Sequence, residues 1–317
     1  MTDALDIVDI HAHLWPSAWG PGGKHAKPAG AFAPEIYRKI TTPSALVDEF
    51  GAAGIALAVV TATVESLFGA EGPVSLEGLR EANDWLAALA GQYESLTAFA
   101  VTDVFAGEAG AREAERAIVE LGLAGLVIDS SRGGRFLADP AARPTLEVAA
   151  RHKVPVFVHP VAHPRSEALI EGAGMLGNSL GRGLMNGVAF LSVIQGDLLD
   201  ELPDLHLVFA TLGLGAIVQA ARGGRYGRER RHQSPRPNIY FDTMGHDPDI
   251  IRTLAGFFGA ERVLAGTDWP ILPALQAETL RASLAEAGLN QAEQRLVAGG
   301  NARRLLGLRE AAKAAAE

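Results

Sequence analysis

The sequence of 317 residues contains no cysteine. Disulfide bonds, thiolate metal ligands and cysteine nucleophiles are therefore excluded, and any metal site must be built from histidine, aspartate, glutamate or water. The chain also lacks an excess of basic residues. Its net charge of −9 argues against general binding to nucleic acid.

Long apolar segments are missing as well. No run reaches the roughly 20 residues that a membrane-spanning helix needs. The N-terminus carries Asp3 and Asp6 and has no basic stretch followed by an apolar one, so no signal peptide is visible. These absences predict a cytoplasmic protein that does not associate with membranes.

Short apolar runs recur along the chain and alternate with segments of helical character. Each run is nearly continuous, as expected for parallel strands that are buried on both faces. The alternation predicts a (β/α)8 barrel that forms one domain over residues 1–317, with a doubly wound open sheet as the alternative, because counting strands cannot show closure. The eight runs are 6–11, 55–61, 96–101, 123–129, 154–159, 205–210, 239–242 and 263–267.

Two connections are too long to be simple turns. Residues 14–42 follow the first run and are rich in proline, glycine and alanine, whereas residues 160–187 follow the fifth run and are rich in glycine. Long insertions of this kind are usually functional lids or disordered segments. Both would emerge at the carboxyl ends of the strands, where the active sites of barrels lie.

Four metal-binding side chains stand at the ends of predicted strands. His11 closes the first run and His13 follows it by two positions, and residues two apart on a strand point to the same side. His159 closes the fifth run and Asp268 follows the eighth. Three imidazoles and one carboxylate suit Zn²⁺, or Mn²⁺ with added waters. We therefore predict one divalent ion, with Zn²⁺ expected first and Mn²⁺ as the alternative.

Several motifs give the chain a family resemblance over nearly its whole length. It resembles the amidohydrolase superfamily, and within it the branch of aminocarboxymuconate semialdehyde decarboxylase and related metal-dependent decarboxylases. The resemblance implies a (β/α)8 barrel, one divalent metal on the same four residues, and a homodimer or higher homo-oligomer. The segments that carry it are Asp9-Ile10-His11-Ala12-His13, Val158-His159-Pro160, Phe241-Asp242-Thr243, His246-Asp247-Pro248, 262–270 and 300–308.

The sequence departs from the family pattern after the sixth run. The resemblance implies a histidine there that transfers protons or activates water, but Thr211 stands in its place. Thr211 is a candidate catalytic residue only as a hydrogen-bond donor or acceptor, because a threonine hydroxyl is not a general base near neutral pH. Either the chemistry does not need that histidine, or His163, His246 or Asp268 replaces it as the catalytic group.

Arginine and aromatic residues suggest how a substrate is held. Arg222 corresponds to a family arginine that binds a substrate carboxylate, in some members across a dimer interface, and a guanidinium matches a carboxylate bidentately. Arg38 in the first long connection is a weaker candidate. Trp15, Trp269 and Phe190 are candidates for apolar walls, although aromatic residues more often belong to the core.

Three functions remain open at this point. The first is a metal-dependent decarboxylase of an aromatic or conjugated hydroxy-carboxylic acid, with the metal as Lewis acid and Asp268 as proton donor. The second is a metal hydrolase of an amide, lactone or ring C–C bond, or a hydratase of an unsaturated acid. The third is an inactive barrel that binds a small anion, for which Thr211 is the only support.

Overall fold

The computed structural model describes residues 5–26, 33–221, 238–274 and 276–308. Within them, parallel strands follow the apolar runs of the sequence, and each strand pairs with its neighbours along the chain. The strands are β1 (Val8–His13), β2 (Leu57–Thr61), β3 (Leu96–Ala98), β4 (Ala100–Val101), β5 (Leu126–Asp129), β6 (Pro155–His159), β7 (His206–Phe209), β8 (Ile239–Asp242) and β9 (Val263–Leu264).

Strands β3 and β4 are two halves of the third barrel strand, interrupted at Phe99. The backbone N–H of Phe99 donates to the carbonyl of Val60 on β2 at 3.0 Å, and that of Ala100 donates to the carbonyl of Gly125 at 2.9 Å. The β1–β2–β3 sheet therefore continues directly into the sheet that runs from β4 to β9.

The last strand and the segment after it pair with the first strand. The backbone N–H of Ile10 donates to the carbonyl of Ala265 at 2.9 Å, and that of Asp268 donates to the carbonyl of His11 at 2.7 Å. These bonds close the sheet on itself, so the predicted eight-stranded barrel is confirmed and the open sheet is excluded.

Helices surround the strands, and several begin where the sequence supplies a cap. The hydroxyl of Ser75 accepts from the backbone N–H of Gly78 at the start of α4, and Asp247 caps α11 with Pro248 in the first helical position. The helices are α1 (Pro34–Ile40), α2 (Pro43–Ala53), α3 (Val64–Phe68), α4 (Leu76–Gln92), α5 (Glu108–Val119), α6 (Arg143–His152), α7 (Ser166–Ala173), α8 (Met175–Gln195), α9 (Leu198–Glu201), α10 (Leu214–Ala221), α11 (Pro248–Phe258), α12 (Ala277–Glu286), α13 (Gln291–Arg295) and α14 (Asn301–Leu305). None of the described helices is both long and apolar enough to cross a membrane.

Alternate residues of each strand fill two apolar layers. On β6, Phe157 joins the cluster that fills the barrel interior, whereas Val156 and Val158 join the larger cluster between the strands and the helices. Both faces of the strands are buried, which explains why the sequence shows continuous apolar runs instead of an alternating pattern.

The glycine-rich connection 160–187 is largely helical, because it contains α7 and the first part of α8. Its glycines permit close packing: a Cβ at Gly187 would lie 2.8 Å from the Cβ of Ala216 on α10, and one at Gly183 would collide with the carbonyl oxygen of Leu212. Glycine composition here reflects helix packing against the segment after β7 and not an irregular lid.

Candidate metal centre

The four predicted ligands come together at the carboxyl ends of the strands. One ligand atom each from His11, His13, His159 and Asp268 can be chosen so that all lie within 4.8 Å of one another. Asp268 Oδ1 is 3.0 Å from His13 Nε2 and 3.3 Å from His11 Nε2. Two atoms that each lie about 2.1 Å from a common ion are separated by about 3.0–3.4 Å, so these spacings fit a shared metal.

Backbone geometry also directs Asp268 toward the histidines. Its φ angle is +64°, in the left-handed region that non-glycine residues seldom adopt. Such a conformation costs about 1–2 kcal/mol and is typically retained where function requires it.

A second carboxylate fixes the orientation of His11. Asp242 Oδ2 at the end of β8 lies 2.6 Å from His11 Nδ1. The opposite nitrogen, His11 Nε2, is buried and has no hydrogen-bond partner among the described residues. A histidine held by a carboxylate on one nitrogen and open on the other is the usual arrangement of a metal ligand.

The charges around the cluster suit a cation. Burial lowers the pKa of His159 well below its ordinary value, and the nearby His13, His11 and Arg182 lower it further. His159 is therefore neutral, which is the form that binds metals. Burial alone would raise the pKa of Asp268, but the His11 and His13 rings lower it overall, so Asp268 is a carboxylate at neutral pH.

Asp9 connects the two segments that carry three of the ligands. Its carboxylate accepts from the backbone N–H of His11 at 2.9 Å and from the hydroxyl of Thr267 at 2.7 Å. Burial raises the pKa of Asp9 to about 6, while the hydrogen bond from Thr267 opposes that rise. Asp9 thereby ties β1 to the segment that leads into Asp268.

Thr211 forms hydrogen bonds with Asp242. Its backbone N–H donates to Asp242 Oδ1 at 3.0 Å, and its hydroxyl donates to the backbone carbonyl of Asp242. The side chain is buried. The structure therefore shows Thr211 supporting the carboxylate that holds His11, and its predicted catalytic role stays a prediction.

Sequence reasoning assigned no role to three residues near the cluster. Asp242 is the last residue of β8, within the motif Phe241-Asp242-Thr243. A polar residue at a strand end is the same signal that identified His159. Glu65 on α3 and Arg182 on α8 form an ion pair with Oε2–Nη1 at 2.7 Å, between residues 117 positions apart. No local sequence pattern marks such a pair.

The Glu65–Arg182 pair fixes the chain that follows His159. Arg182 Nη1 donates to the carbonyl of Pro160 at 2.8 Å, and Glu65 Oε1 accepts from the backbone N–H of Ala162 at 2.9 Å. We call these four residues the clamp.

The other predicted polar residues are not among the four clustered ligands. His163 is half-buried, and its Nδ1 accepts from the backbone N–H of Arg165 at 3.0 Å. His246 is half-buried between β8 and α11. Arg38 has an exposed side chain within 3.8 Å of Glu35, and Arg222 lies outside the described residues.

The predicted aromatic walls lie in the apolar core. Phe190 on α8 packs against Phe209 and Phe241, with ring centroids 5.3 and 5.7 Å apart, in the cluster between strands and helices. Trp15 is buried and makes a T-shaped ring contact with Tyr37 at a centroid distance of 6.2 Å, and Trp269 is fully buried. These positions favour packing roles, and we do not include the three in the site.

Comparison with known proteins agrees with the family resemblance of the motifs. The sequence model of a family described as amidohydrolase matches residues 8–308. The chain belongs to this family.

Two curated relatives are decarboxylases by name. The chain is 26% identical to 2-amino-3-carboxymuconate-6-semialdehyde decarboxylase from Dictyostelium discoideum, over 95% of this chain and 91% of that protein. It is 28% identical to gamma-resorcylate decarboxylase from Polaromonas sp. strain JS666, over 71% of this chain and 75% of that protein.

Solved structures share the fold. A dihydroxybenzoic acid decarboxylase from Polaromonas sp. JS666, with bound manganese and the inhibitor 2-nitroresorcinol, superposes with a TM-score of 0.77 at 19% identity, covering 98% of this chain and 99% of that one. The 5-carboxyvanillate decarboxylase of Sphingomonas paucimobilis gives a TM-score of 0.76 at 19% identity, covering 96% and 100%.

Proposed function

We propose that this protein is a metal-dependent decarboxylase that removes CO2 from an aromatic or conjugated hydroxy-carboxylic acid. The observation that supports this most directly is the buried cluster of three imidazoles and one carboxylate. The two curated proteins to which the chain is similar are named as decarboxylases, one of an aminocarboxymuconate semialdehyde and one of gamma-resorcylate.

His11, His13, His159 and Asp268 would hold one divalent ion. When bound, that ion would supply Lewis-acid chemistry toward the substrate carboxylate and a neighbouring hydroxyl. The donor set suits Zn²⁺ first, and Mn²⁺ with added waters is the alternative. The manganese bound in the related Polaromonas structure supports Mn²⁺ as a candidate beside Zn²⁺.

Asp268 is the proposed proton carrier. As a carboxylate it can accept a proton from the acidic hydroxyl of the bound acid and deliver that proton to the ring carbon. When the C–CO2 bond breaks, its electron pair remains on that carbon, the proton completes a new C–H bond, and CO2 leaves. Arg222 would bind an anionic group of the substrate.

The surroundings of Thr211 favour this reaction over water attack. Decarboxylation needs a proton at carbon, whereas hydrolysis needs a base that deprotonates water. The Thr211 hydroxyl already donates to the carbonyl of Asp242, and neither His163 nor His246 belongs to the cluster. A hydrolase or hydratase on the same ligands is the second candidate, with Asp268 as the base.

Two measurements test the proposal. Elemental analysis of protein purified without chelator should give about one zinc or manganese per chain. The loaded protein should then release CO2 from members of a panel of hydroxylated benzoic acids and carboxylated muconate derivatives in D2O. One deuterium should replace each carboxylate, because the new C–H bond takes its proton from solvent-exchangeable groups.

Other outcomes would separate the alternatives. Oxygen-18 from labelled water in the product skeleton without CO2 would replace the decarboxylase with the hydrolase or hydratase. Tight binding of an acid without turnover would favour the inactive anion-binding barrel. Failure to take up either metal would overturn both enzyme proposals.

A further inference from the structure

Asp129 is a buried carboxyl group at the strand-end rim that the proposed reaction does not use. It is the last residue of β5 and pairs in register with His159, the last residue of β6. Neighbouring strands lie about 4.7–4.9 Å apart, so the two residues are adjacent. Asp129 is nevertheless not one of the four clustered ligands. A carboxyl group therefore lies beside the candidate metal centre without belonging to it.

The alternation of β5 directs this side chain into the barrel. Ile128 belongs to the apolar cluster between strands and helices, whereas Val127 belongs to the cluster that fills the barrel interior. Residues two apart on a strand share a side, so Asp129 faces the interior as Val127 does. On β6, His159 follows the interior residue Phe157 in the same way. The carboxyl group of Asp129 and the imidazole of His159 thus face the same space.

Asp129 lies as deep as the candidate ligands and keeps capacity to accept hydrogen bonds. It is 3% exposed, within the range of 1–9% that the four ligands span. Arg132 Nη1 lies 3.8 Å from Asp129 Oδ2, which is longer than a hydrogen bond, and the backbone N–H of Glu65 faces the carboxyl group. The guanidinium of Arg132 donates instead to the carbonyl oxygens of Gly69 and Gly72. A carboxyl group has about four acceptor sites, so sites remain for a ligand.

The charges around Asp129 restrict the kind of substituent that it can bind. Burial first, and then the charge of Glu65, raise the pKa of Asp129 well above its ordinary value, while Arg132 opposes the rise and Asp103 adds to it. An acceptor or a second carboxylate on the substrate would meet these acidic groups unfavourably. A hydroxyl or amino group can donate to a carboxyl oxygen in either protonation state of the acid. The surroundings therefore favour a hydrogen-bond donor.

We propose that Asp129 determines substrate specificity by accepting a hydrogen bond from a hydroxyl or amino substituent of the acid. The inference rests on the proposed function, because it takes the carboxylate of the acid to be held at His159 and the other three ligands. A donor elsewhere on the substrate would then reach toward β5. A site built around a buried hydrogen-bonding group rejects analogues that lack the matching donor, because the buried group is left without a partner.

Paired aromatic acids test this role by binding instead of turnover. The probes are the 2,3-, 2,4-, 2,5- and 2,6-dihydroxybenzoates, each compared with the 2-hydroxybenzoate that carries fluorine in place of the second hydroxyl. Fluorine is close to a hydroxyl group in size but cannot donate a hydrogen bond. In isothermal titration calorimetry of the metal-loaded protein, at least one dihydroxybenzoate should bind at least about tenfold more tightly than its fluoro partner.

Substitution of Asp129 should remove this preference. In Asp129→Leu the two members of that pair should bind within about twofold of each other, without weaker binding of the fluoro compound. Asp129→Ala also removes the acceptor, adds no volume and should give the same result, whereas Asp129→Asn keeps an acceptor oxygen and should retain part of the preference. Glu113→Gln is the matched control, because Glu113 is a fully buried carboxylate on α5 that pairs with Arg116 outside the barrel. It should keep the preference of the wild type.

Three results would overturn the role of Asp129. One is a wild type that binds no dihydroxybenzoate more tightly than its fluoro partner. Another is a preference that survives in both Asp129→Leu and Asp129→Ala, and the third is an equal loss of preference in Glu113→Gln. The proposed function fails in a different way: release of CO2 without any donor preference rejects only the role of Asp129, whereas a donor preference that depends on Asp129, without CO2 release, rejects only the decarboxylase.

Discussion

The two halves of the strand-end rim around the metal centre are built differently. On the β8–β9–β1 side, hydrogen bonds connect Thr211 to Asp242 and Asp242 to His11, and Asp9 connects His11 to Thr267. Apart from His11 Nε2, each side-chain polar atom named here is bound to a neighbour.

The β5–β6 side has a less complete set of side-chain hydrogen bonds. His159 Nδ1 is buried without a hydrogen-bond partner among the described residues. Asp129, which pairs in register with His159, is buried, and Arg132 Nη1 lies 3.8 Å from its Oδ2. Burial, and next the charge of Glu65, raise the pKa of Asp129 well above its ordinary value.

The two sides differ in how they hold the candidate ligands. An unpaired buried polar group costs about 1–3 kcal/mol, so proteins keep few of them and usually for function. The β8–β9–β1 side holds its metal ligands through the hydrogen bonds of their side chains. On the β5–β6 side the clamp binds the backbone of Pro160 and Ala162, directly after His159, and His159 Nδ1 has no hydrogen-bond partner among the described residues.

The largest effect is expected from Asp268→Asn, which removes the carboxylate between the two sides. The variant should lose at least about tenfold in metal affinity and about 10³-fold in decarboxylation rate, because it removes both a charged ligand and the proton carrier. Metal competition with a chromophoric chelator and CO2 release would measure the two losses. Asp249→Asn, an exposed aspartate on α11, should change neither. A wild-type rate in the metal-loaded Asp268 variant would exclude the proton-carrier role.

Asp242→Asn tests the hydrogen-bonded side alone. The amide has the same shape but loses the charge that faces His11 Nδ1 at 2.6 Å. Loss of such a partner typically weakens metal binding 10–100-fold, and chelator competition should show a loss in that range. Unchanged affinity would mean that His11 keeps its orientation without Asp242.

The sequence predicted most of the fold and all four clustered ligands, because both depend on local patterns. Continuous apolar runs marked the strands, and polar residues at the ends of those runs marked the rim. Closure of the barrel could not be predicted from these patterns. It is established by backbone hydrogen bonds in the structure, such as those of Ile10 with Ala265 and of His11 with Asp268.

The remainder depends on long-range contacts that no local pattern reveals. The long glycine-rich connection 160–187 predicted a functional lid or a disordered segment, yet it is largely helical, and Gly183 and Gly187 pack closely against the segment after β7, as tertiary contacts override propensity. The ion pair between Glu65 and Arg182 joins residues 117 positions apart in the sequence, so no local pattern predicts it. The exposed Leu176, Leu180 and Leu184 of α8 follow a helical spacing, although their stretch was predicted to be a lid or a disordered segment.

Arg182→Gln tests the β5–β6 side and should have a smaller effect. It removes the ion pair with Glu65 and the donor to Pro160 but leaves every metal ligand in place. We expect metal affinity to fall by about 3–10-fold, less than the 10–100-fold typical when a direct partner of a ligand is lost, with partial recovery in Arg182→Lys. Chelator competition is the measurement. A lower melting temperature with unchanged metal affinity in Arg182→Gln would make the clamp purely structural.

Thr211→Val should have the smallest effect, and it decides between the two roles open to this residue. Valine keeps the shape and the backbone N–H that donates to Asp242 Oδ1 at 3.0 Å, but it loses the hydroxyl. One lost hydrogen bond is worth about 0.5–1.5 kcal/mol. If Thr211 only supports Asp242, metal affinity and kcat should both fall by no more than about tenfold, and Thr211→Ser should behave like the wild type. If instead kcat collapses while metal affinity is unchanged, the hydroxyl acts on the substrate. The fixed side of the rim would then also supply a catalytic group in place of the family's histidine.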